Sequence, residues 1–133
     1  MTVQATRLDD DEGARQASDE RRDAAVRDLL RLQAANRRLR ERLAVNAATS
    51  EESLRRLLDG ADPGLVLEGV DVAGARVALA EALAEFERAR HQARCTFVAA
   101  QFDGGLNMKE IGRRWGISRQ LAHRFFREAR REG

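Results

Sequence analysis

The segment 107–126 constrains the fold of this chain most, because two sets of helix boundary signals follow each other closely. Asn107 is a favourable N-cap, and Glu110 three residues later completes a capping box. Gly116 ends this first helix, since glycine enters the left-handed region of backbone space without a steric penalty. Ser118 then caps a second helix. The pattern predicts two short helices joined by a tight turn.

The same segment resembles the helix-turn-helix of bacterial transcription regulators and of the last DNA-reading region of sigma factors. That motif runs as a small residue, three variable positions, glycine, an apolar residue, serine and arginine. The matching residues here are Gly112, Gly116, Ile117, Ser118 and Arg119. The motif has alanine at the first of these positions, and glycine there weakens a helix by about 0.5–1 kcal/mol. The resemblance implies that the second helix enters the major groove of DNA.

The resemblance also assigns roles to individual residues. Exposed residues at the start of the second helix would read base edges, namely Ser118, Arg119, Gln120, His123 and Arg124. Arginine and glutamine suit this role because each can form two parallel hydrogen bonds, to guanine and adenine respectively. Flanking residues would bind phosphates and fix the register, namely Asn107, Lys109, Arg113, Arg114, Arg127, Arg130 and Arg131.

Basic residues are concentrated near the motif. Residues 89–133 hold ten basic and four acidic residues, although the whole chain has a formal net charge of only +2. A local positive field of this kind favours contact with nucleic acid. Arginine-rich amphipathic helices are also found as simple solvated faces, so the distribution of arginine carries more weight than its number.

The N-terminal part of the chain predicts a tail and a helix. Residues 1–17 are acidic and lack hydrophobic periodicity, which predicts a disordered tail. Residues 18–46 contain neither glycine nor proline, and their heptad seam is formed by Leu29, Leu32, Asn36, Leu39 and Leu43. An asparagine in such a seam specifies register in parallel two-stranded coiled coils, which favours a homodimer through this helix. The same stripe would also suit packing against another helix of its own chain.

Further boundaries complete the expected architecture. Residues 47–50 loosen the N-terminal helix before a shorter one, and residues 61–64, with the only proline, form a turn. Asp71 caps a long helix that reaches Phe102 and bends or divides near residues 90–94. Strand-like alternation is absent, which predicts an all-α fold with N-terminal coiled-coil-like helices, a long helix and a C-terminal three-helix helix-turn-helix domain. The predicted domains are an acidic tail (1–17), a helical oligomerisation or interaction region (18–88) and the DNA-binding domain (89–133).

Catalytic, metal-binding and membrane functions find little support in the sequence. Because Cys95 is the only cysteine, we expect neither an intramolecular disulfide nor any cysteine-based zinc site. His91 and His123 are far apart and have no obvious metal-ligand partner, so neither a metal nor another cofactor is expected. The sequence has no apolar run long enough to span a membrane and no secretory signal at its start. We expect a non-enzymatic protein of the cytoplasm and nucleoid.

The expected function is sequence-specific binding of double-stranded DNA by a dimeric transcription regulator of a bacterium or phage. One alternative is a protein-interaction adaptor that docks on RNA polymerase, a sigma factor or a phage protein. Another is a nucleoid-associated protein that binds DNA without sequence preference. Specific readout depends on the start of the second helix, whereas non-specific binding depends mainly on phosphate contacts.

Overall fold

The chain is all-α. A computed structural model describes the backbone of residues 2–132 and the side chains of residues 7–131, so Met1 and Gly133 lie outside the described residues. Four helices follow in order, namely α1 (Thr2–Leu58), α2 (Val72–Asp103), α3 (Met108–Trp115) and α4 (Arg119–Glu132). No strand occurs in this described part, which confirms the predicted all-α class. None of the helices, over the same residues, is both long and apolar enough to cross a membrane.

Helix α1 is longer than the sequence predicted. It spans Thr2–Leu58, so residues 2–17 are helical where the sequence predicted a disordered tail over residues 1–17, and residues 47–50 do not interrupt the helix; Met1 lies outside the described residues. The physical reason is that helix propagation adds a hydrogen bond for each residue that is fixed, so a helix anchored by packing extends easily through residues without proline. An exposed hydrogen bond between Gln16 and Glu20, one turn apart, gives small local support.

A turn and a cap separate α1 from α2, as the sequence predicted. The Asp62 carboxylate accepts a hydrogen bond from the Gly64 N–H at 3.0 Å, which stabilises the proline-containing turn. The Asp71 carboxylate accepts another at 3.0 Å from the backbone N–H three residues later, at the start of α2. Helix α2 is continuous, so the predicted bend or division near residues 90–94 is not a break in the helix.

The residues group into two compact units, each of which contains parts of α1 and α2. The hairpin unit comprises Leu32–Ala89, and the terminal unit comprises the residues up to Arg31 together with those from Arg90 onward. The sequence analysis placed residues 18–88 in one N-terminal region. It could not show the division within α1 and α2, because periodicity along a helix does not reveal where its packing partner changes. The start of α1 instead belongs to the same unit as α3 and α4.

In the hairpin unit, α1 and α2 run antiparallel, because Arg38 contacts Glu85 whereas the later Val45 shares a groove lining with the earlier Ala75. An ion pair joins Arg38 of α1 to Glu85 of α2. The buried residues of these helix segments are small, namely Ala35, Ala82 and Ala89. Small side chains at a helix contact allow a short distance between the helix axes.

The predicted heptad seam is divided between two sides of α1. Leu32 and Leu39 are half-buried, on the side that carries the buried Ala35. The other three seam residues are exposed, namely Leu29, Asn36 and Leu43. Packing within the chain, one of the two interpretations that the sequence left open, therefore accounts for two of the five seam residues.

In the terminal unit, α1 contacts α2 through a buried polar pair. The Thr96 hydroxyl donates a hydrogen bond to the carboxylate of Asp28, which is only 2% exposed. A buried carboxylate is costly unless it is hydrogen-bonded, so this bond matters for the packing of α1. The apolar core of the unit comes from the other three helices and contains Cys95, Val98, Ile111, Ala122 and Phe125.

Candidate nucleic-acid interface

Helix α3 begins at the predicted cap. The Asn107 side chain accepts a hydrogen bond from the Glu110 N–H at 2.8 Å. The Glu110 carboxylate, however, accepts hydrogen bonds from Arg113 at 2.6 Å and from Arg114 at 3.2 Å, and does not turn back towards the cap. These bonds, with the one from Arg113 foremost, hold the pKa of Glu110 below its ordinary value. One carboxylate thus orders two of the predicted phosphate-binding arginines.

Two glycines determine the turn between α3 and α4. Gly116 has φ 66° and ψ 33°, the left-handed conformation predicted for the end of α3. The Ile117 N–H donates to the Gly112 carbonyl at 2.9 Å, which closes the turn. A Cβ atom on Gly112 would lie 2.9 Å from the Ile117 carbonyl oxygen. The close approach of the backbone explains why glycine occupies this position.

Helix α4 rests on the core through one face. The Ser118 hydroxyl oxygen accepts a hydrogen bond at 3.0 Å from the backbone N–H three residues later, which confirms the predicted cap. Ala122 and Phe125 are buried in the same cluster as Ile111 of α3. Residues three or four positions apart share a helix face, so these two fix which face of α4 is turned outward.

The outward face of α4 carries the residues predicted to read bases. Each of them is exposed, namely Ser118, Arg119, Gln120, His123 and Arg124. The residues predicted to bind phosphates are exposed as well, namely Asn107, Lys109, Arg113, Arg114, Arg127, Arg130 and Arg131. All of these side chains are therefore accessible to a ligand, but exposure alone does not separate base-reading residues from phosphate-binding ones.

A groove in the terminal unit brings half of these residues together. Six predicted DNA-binding residues line it, namely Asn107, Lys109, Arg119, Gln120, His123 and Arg127. Phe102 and Met108 complete the lining. The groove therefore combines the N-terminus of α3 with the polar face of α4. Backbone N–H groups at a helix N-terminus favour anions such as phosphate.

The other predicted residues lie outside the lining of this groove, and several have contacts of their own. Ser118 is engaged as the cap of α4. Arg130 donates to Asp103 and lies over the Phe126 ring, 5.1 Å from its centroid. Arg124 is close enough to Glu128 for electrostatic attraction. The sequence could not separate these residues from the groove residues, because both sets are polar or basic residues at exposed positions of the same two helices and their caps.

Aromatic side chains support one end of the groove. The ring centroids of Phe102 and Phe126 are 4.7 Å apart, and His123 stacks on Phe126 with its centroid at 6.3 Å. Phe102 is 41% exposed and was not among the predicted site residues. Its position directly before the Asp103–Gly105 helix stop is the one signal in the sequence that could have indicated it.

A second polar cluster joins α2 to α4. His91 and Cys95 lie one turn apart on α2, and the carboxylate of Glu128 on α4 is in hydrogen-bond contact with the His91 ring. This hydrogen bond is the main reason why the pKa of Glu128 is lowered. The expectation that neither histidine has a cysteine or carboxylate at metal-ligand spacing is wrong for His91, because Cys95 lies one turn away on α2 and the fold brings Glu128 of α4 to the ring.

No protein-family model, curated protein or solved structure matches this chain. The class of protein therefore has to be inferred from the groove and its side chains. Two short helices, a glycine turn and one exposed basic helix face form the structural basis of that inference.

Replacing Gly112 with alanine should destabilise the protein, although alanine is the better helix former. We expect the overpacked Cβ to outweigh the gain of about 1 kcal/mol in helix propensity and to lower the free energy of unfolding by about 1–2 kcal/mol. Urea denaturation measures this change. Gly13→Ala is the matched control, since Gly13 is helical and a Cβ there has no neighbour within 4 Å. Equal stability of the Gly112→Ala variant and the wild type would contradict the close approach.

Proposed function

We propose that this protein binds double-stranded DNA with sequence specificity and regulates transcription, acting in the cytoplasm on nucleoid DNA. The observation that carries the proposal is the groove that joins the N-terminus of α3 to the exposed face of α4. A helix of this kind, with its polar start exposed and its other face held by a core, is suited to the major groove. Binding, not catalysis, is the function proposed.

The side chains at the start of α4 suit base recognition. Arg119 offers two parallel donors for the O6 and N7 atoms of guanine, and Gln120 can pair with N6 and N7 of adenine. His123 follows one turn later on the same groove and can donate or accept a hydrogen bond. Phe102 provides an apolar surface near these polar groups, of the kind that contacts a thymine methyl group.

The rim of the groove suits the phosphate backbone. Lys109 and Arg127 line it from α3 and α4 respectively. Arg113 and Arg114, ordered by Glu110, extend the positive surface along α3. In our proposal these contacts supply affinity and register, whereas the base contacts supply sequence preference.

Dimerisation through α1 forms part of the proposal. The exposed seam residues Leu29, Asn36 and Leu43 recur every seven positions on one side of α1. A twofold dimer would present two copies of α4 to half-sites about 34 Å apart, one turn of the duplex. Two linked binding sites gain effective concentration, which compensates for the weak binding of a single small domain.

A second candidate function is that of a protein-interaction adaptor for RNA polymerase, a sigma factor or a phage protein. The observation that favours it lies in the hairpin unit, where an open groove is largely apolar. Its lining includes Leu54, Leu57, Leu67, Val70 and Leu79. Apolar grooves of this kind accept amphipathic helices from other proteins. An adaptor would use this unit and would not require sequence recognition by α4.

The proposed function predicts selective enrichment of particular DNA sequences by the purified full-length protein. Selection from fragmented genomic DNA and from a random duplex pool should yield one shared motif, with specific affinity about 10³-fold or more above that for unrelated duplex. Binding should weaken steeply between low and moderate salt. Light scattering on the same sample tests the dimer. Salt-dependent binding without an enriched motif would indicate the nucleoid-associated alternative, and no binding at all would contradict the proposal.

A further inference from the structure

Three side chains with different donor atoms converge between α2 and α4, outside the groove lining. They are His91 Nε2, Cys95 Sγ and a carboxylate oxygen of Glu128, and all three atoms lie within 4.8 Å of one another. The first two residues are one helical turn apart and therefore lie on the same face of α2. The third comes from α4, so the cluster links the central helix of the core to the proposed recognition helix.

The distances to sulfur match those of a tetrahedral zinc site. Cys95 Sγ lies 3.6 Å from His91 Nε2 and 3.6 Å from Glu128 Oε2. A Zn–S distance of 2.3 Å and Zn–N or Zn–O distances of about 2.0–2.1 Å give tetrahedral edges of about 3.6 Å. The third distance, between His91 Nε2 and Glu128 Oε2, is shorter than a tetrahedral edge, because these two atoms are in direct hydrogen-bond contact. A small rotation of the Glu128 side chain would open that edge for an ion.

The surroundings hold two of the three donors in place. Cys95 is 3% exposed and belongs to the apolar core, yet its sulfur faces two polar groups. The His91 ring packs edge-on against Phe125, with ring centroids 5.4 Å apart. Metal sites are tighter when packing fixes the orientation of their ligands. The side chains of His91 and Glu128 are 42% and 36% exposed, which leaves the site open on one side.

We propose that His91, Cys95 and Glu128 bind one Zn²⁺ ion, with a water molecule in the fourth position. On binding, the Cys95 thiol would release its proton to solvent, and the neutral imidazole would coordinate through Nε2 with its proton on Nδ1. Thiolate, imidazole and carboxylate together favour a borderline-soft divalent ion over Mg²⁺ or Ca²⁺. The ion would fasten α4 to α2. This inference does not depend on the proposed DNA binding.

Titration of the full-length, reduced, metal-free protein with Co²⁺ and then Zn²⁺ tests the site directly. Cobalt should bind one ion per chain and produce a thiolate-to-metal charge-transfer band, which Zn²⁺ should remove by displacement. Since Cys95 is the only cysteine, that band reports on this side chain alone. Zinc in about 100-fold excess over its dissociation constant should also raise the thermal unfolding midpoint by about 5–15 °C.

Single variants then identify the ligands. His91→Gln, Cys95→Ala and Glu128→Gln should each lower zinc affinity by more than about 100-fold, because the loss of a supporting residue alone costs 10–100-fold. His123→Gln, which removes the other histidine, is the matched control and should bind zinc like the wild type. Should Cys95→Ala fail to fold, the cobalt band of the wild type and the partly exposed Glu128→Gln variant still decide the question.

Three results would overturn the zinc site. The first is a cobalt complex without the charge-transfer band, which would place the ion away from Cys95. The second is unchanged zinc affinity in all three ligand variants, which would mean adventitious surface binding. The third is loss of binding in His123→Gln, which would assign the ligands elsewhere.

Discussion

Truncation of Phe125 to alanine should remove about 3–5 kcal/mol from the free energy of unfolding, the largest stability change expected for the terminal unit. Phe125 is 4% exposed and lies in the cluster that holds α3 and α4 together. Its ring also contacts the His91 ring and the Arg94 guanidinium, the latter 5.1 Å from the ring centroid. Domains are commonly stable by only 5–15 kcal/mol, so the variant should be close to unfolding.

Urea denaturation followed by tryptophan fluorescence measures this effect. Trp115 is the only tryptophan, packs against the same cluster and donates a hydrogen bond to Gln101 at 2.7 Å, so its fluorescence reports on the unit directly. Phe102→Ala is the control, since Phe102 is half-exposed at the groove. We expect it to cost less than about half as much. Similar losses for both variants would mean that the buried cluster does not hold α3 and α4.

The elements that the sequence predicted well are those fixed by neighbouring residues. The caps Asn107 and Ser118 and the left-handed Gly116 each depend on hydrogen bonds within three or four positions. Such signals are visible in a sequence because residue type and partner lie in one short window. The outward face of α4 followed from the same window, since Ala122 and Phe125 alternate with the polar residues at helical spacing.

The length of α1 and the packing of its heptad seam could not be predicted from short sequence windows. A long exposed helix through residues 7–16 depends on propagation from packed residues further along the chain, not on local apolar periodicity. The leucine pattern showed that α1 has an apolar side but not which helix would cover it. Ala35 is buried and Leu32 is half-buried, so the side of α1 that packs within the chain lies about one residue position away from the predicted seam.

The cluster of His91, Cys95 and Glu128 illustrates the same limit. Two members are four residues apart and were within reach of a periodicity argument. The third is distant in sequence and joins them only because α4 folds back against α2. The groove residue Phe102 was missed for a similar reason, since its role depends on α4 lying beside it.

Joint replacement of Arg119 and Gln120 by alanine should strongly reduce sequence-selective DNA binding while leaving the fold intact. Each good base contact contributes about 1–3 kcal/mol, so the double variant should bind its selected sequence about 30-fold to 10⁴-fold more weakly. Binding to unrelated duplex should fall much less, because the groove residues Lys109 and Arg127, which we propose to contact phosphates, remain. Fluorescence anisotropy with the selected and a scrambled duplex, at two salt concentrations, measures both effects.

The chain offers a matched control in Arg15 and Gln16, the same dipeptide on an exposed part of α1. Replacing this pair by alanine removes the same charge and the same side chains, so any effect of net charge on DNA affinity appears in both variants. Only the α4 variant should lose preference for the selected sequence. Equal weakening by the two variants would show that α4 contributes charge without base recognition. A different result would favour the adaptor function. In that case the wild type would show no selective DNA binding, and the α4 variant would still bind a protein partner, with the hairpin unit as the docking surface.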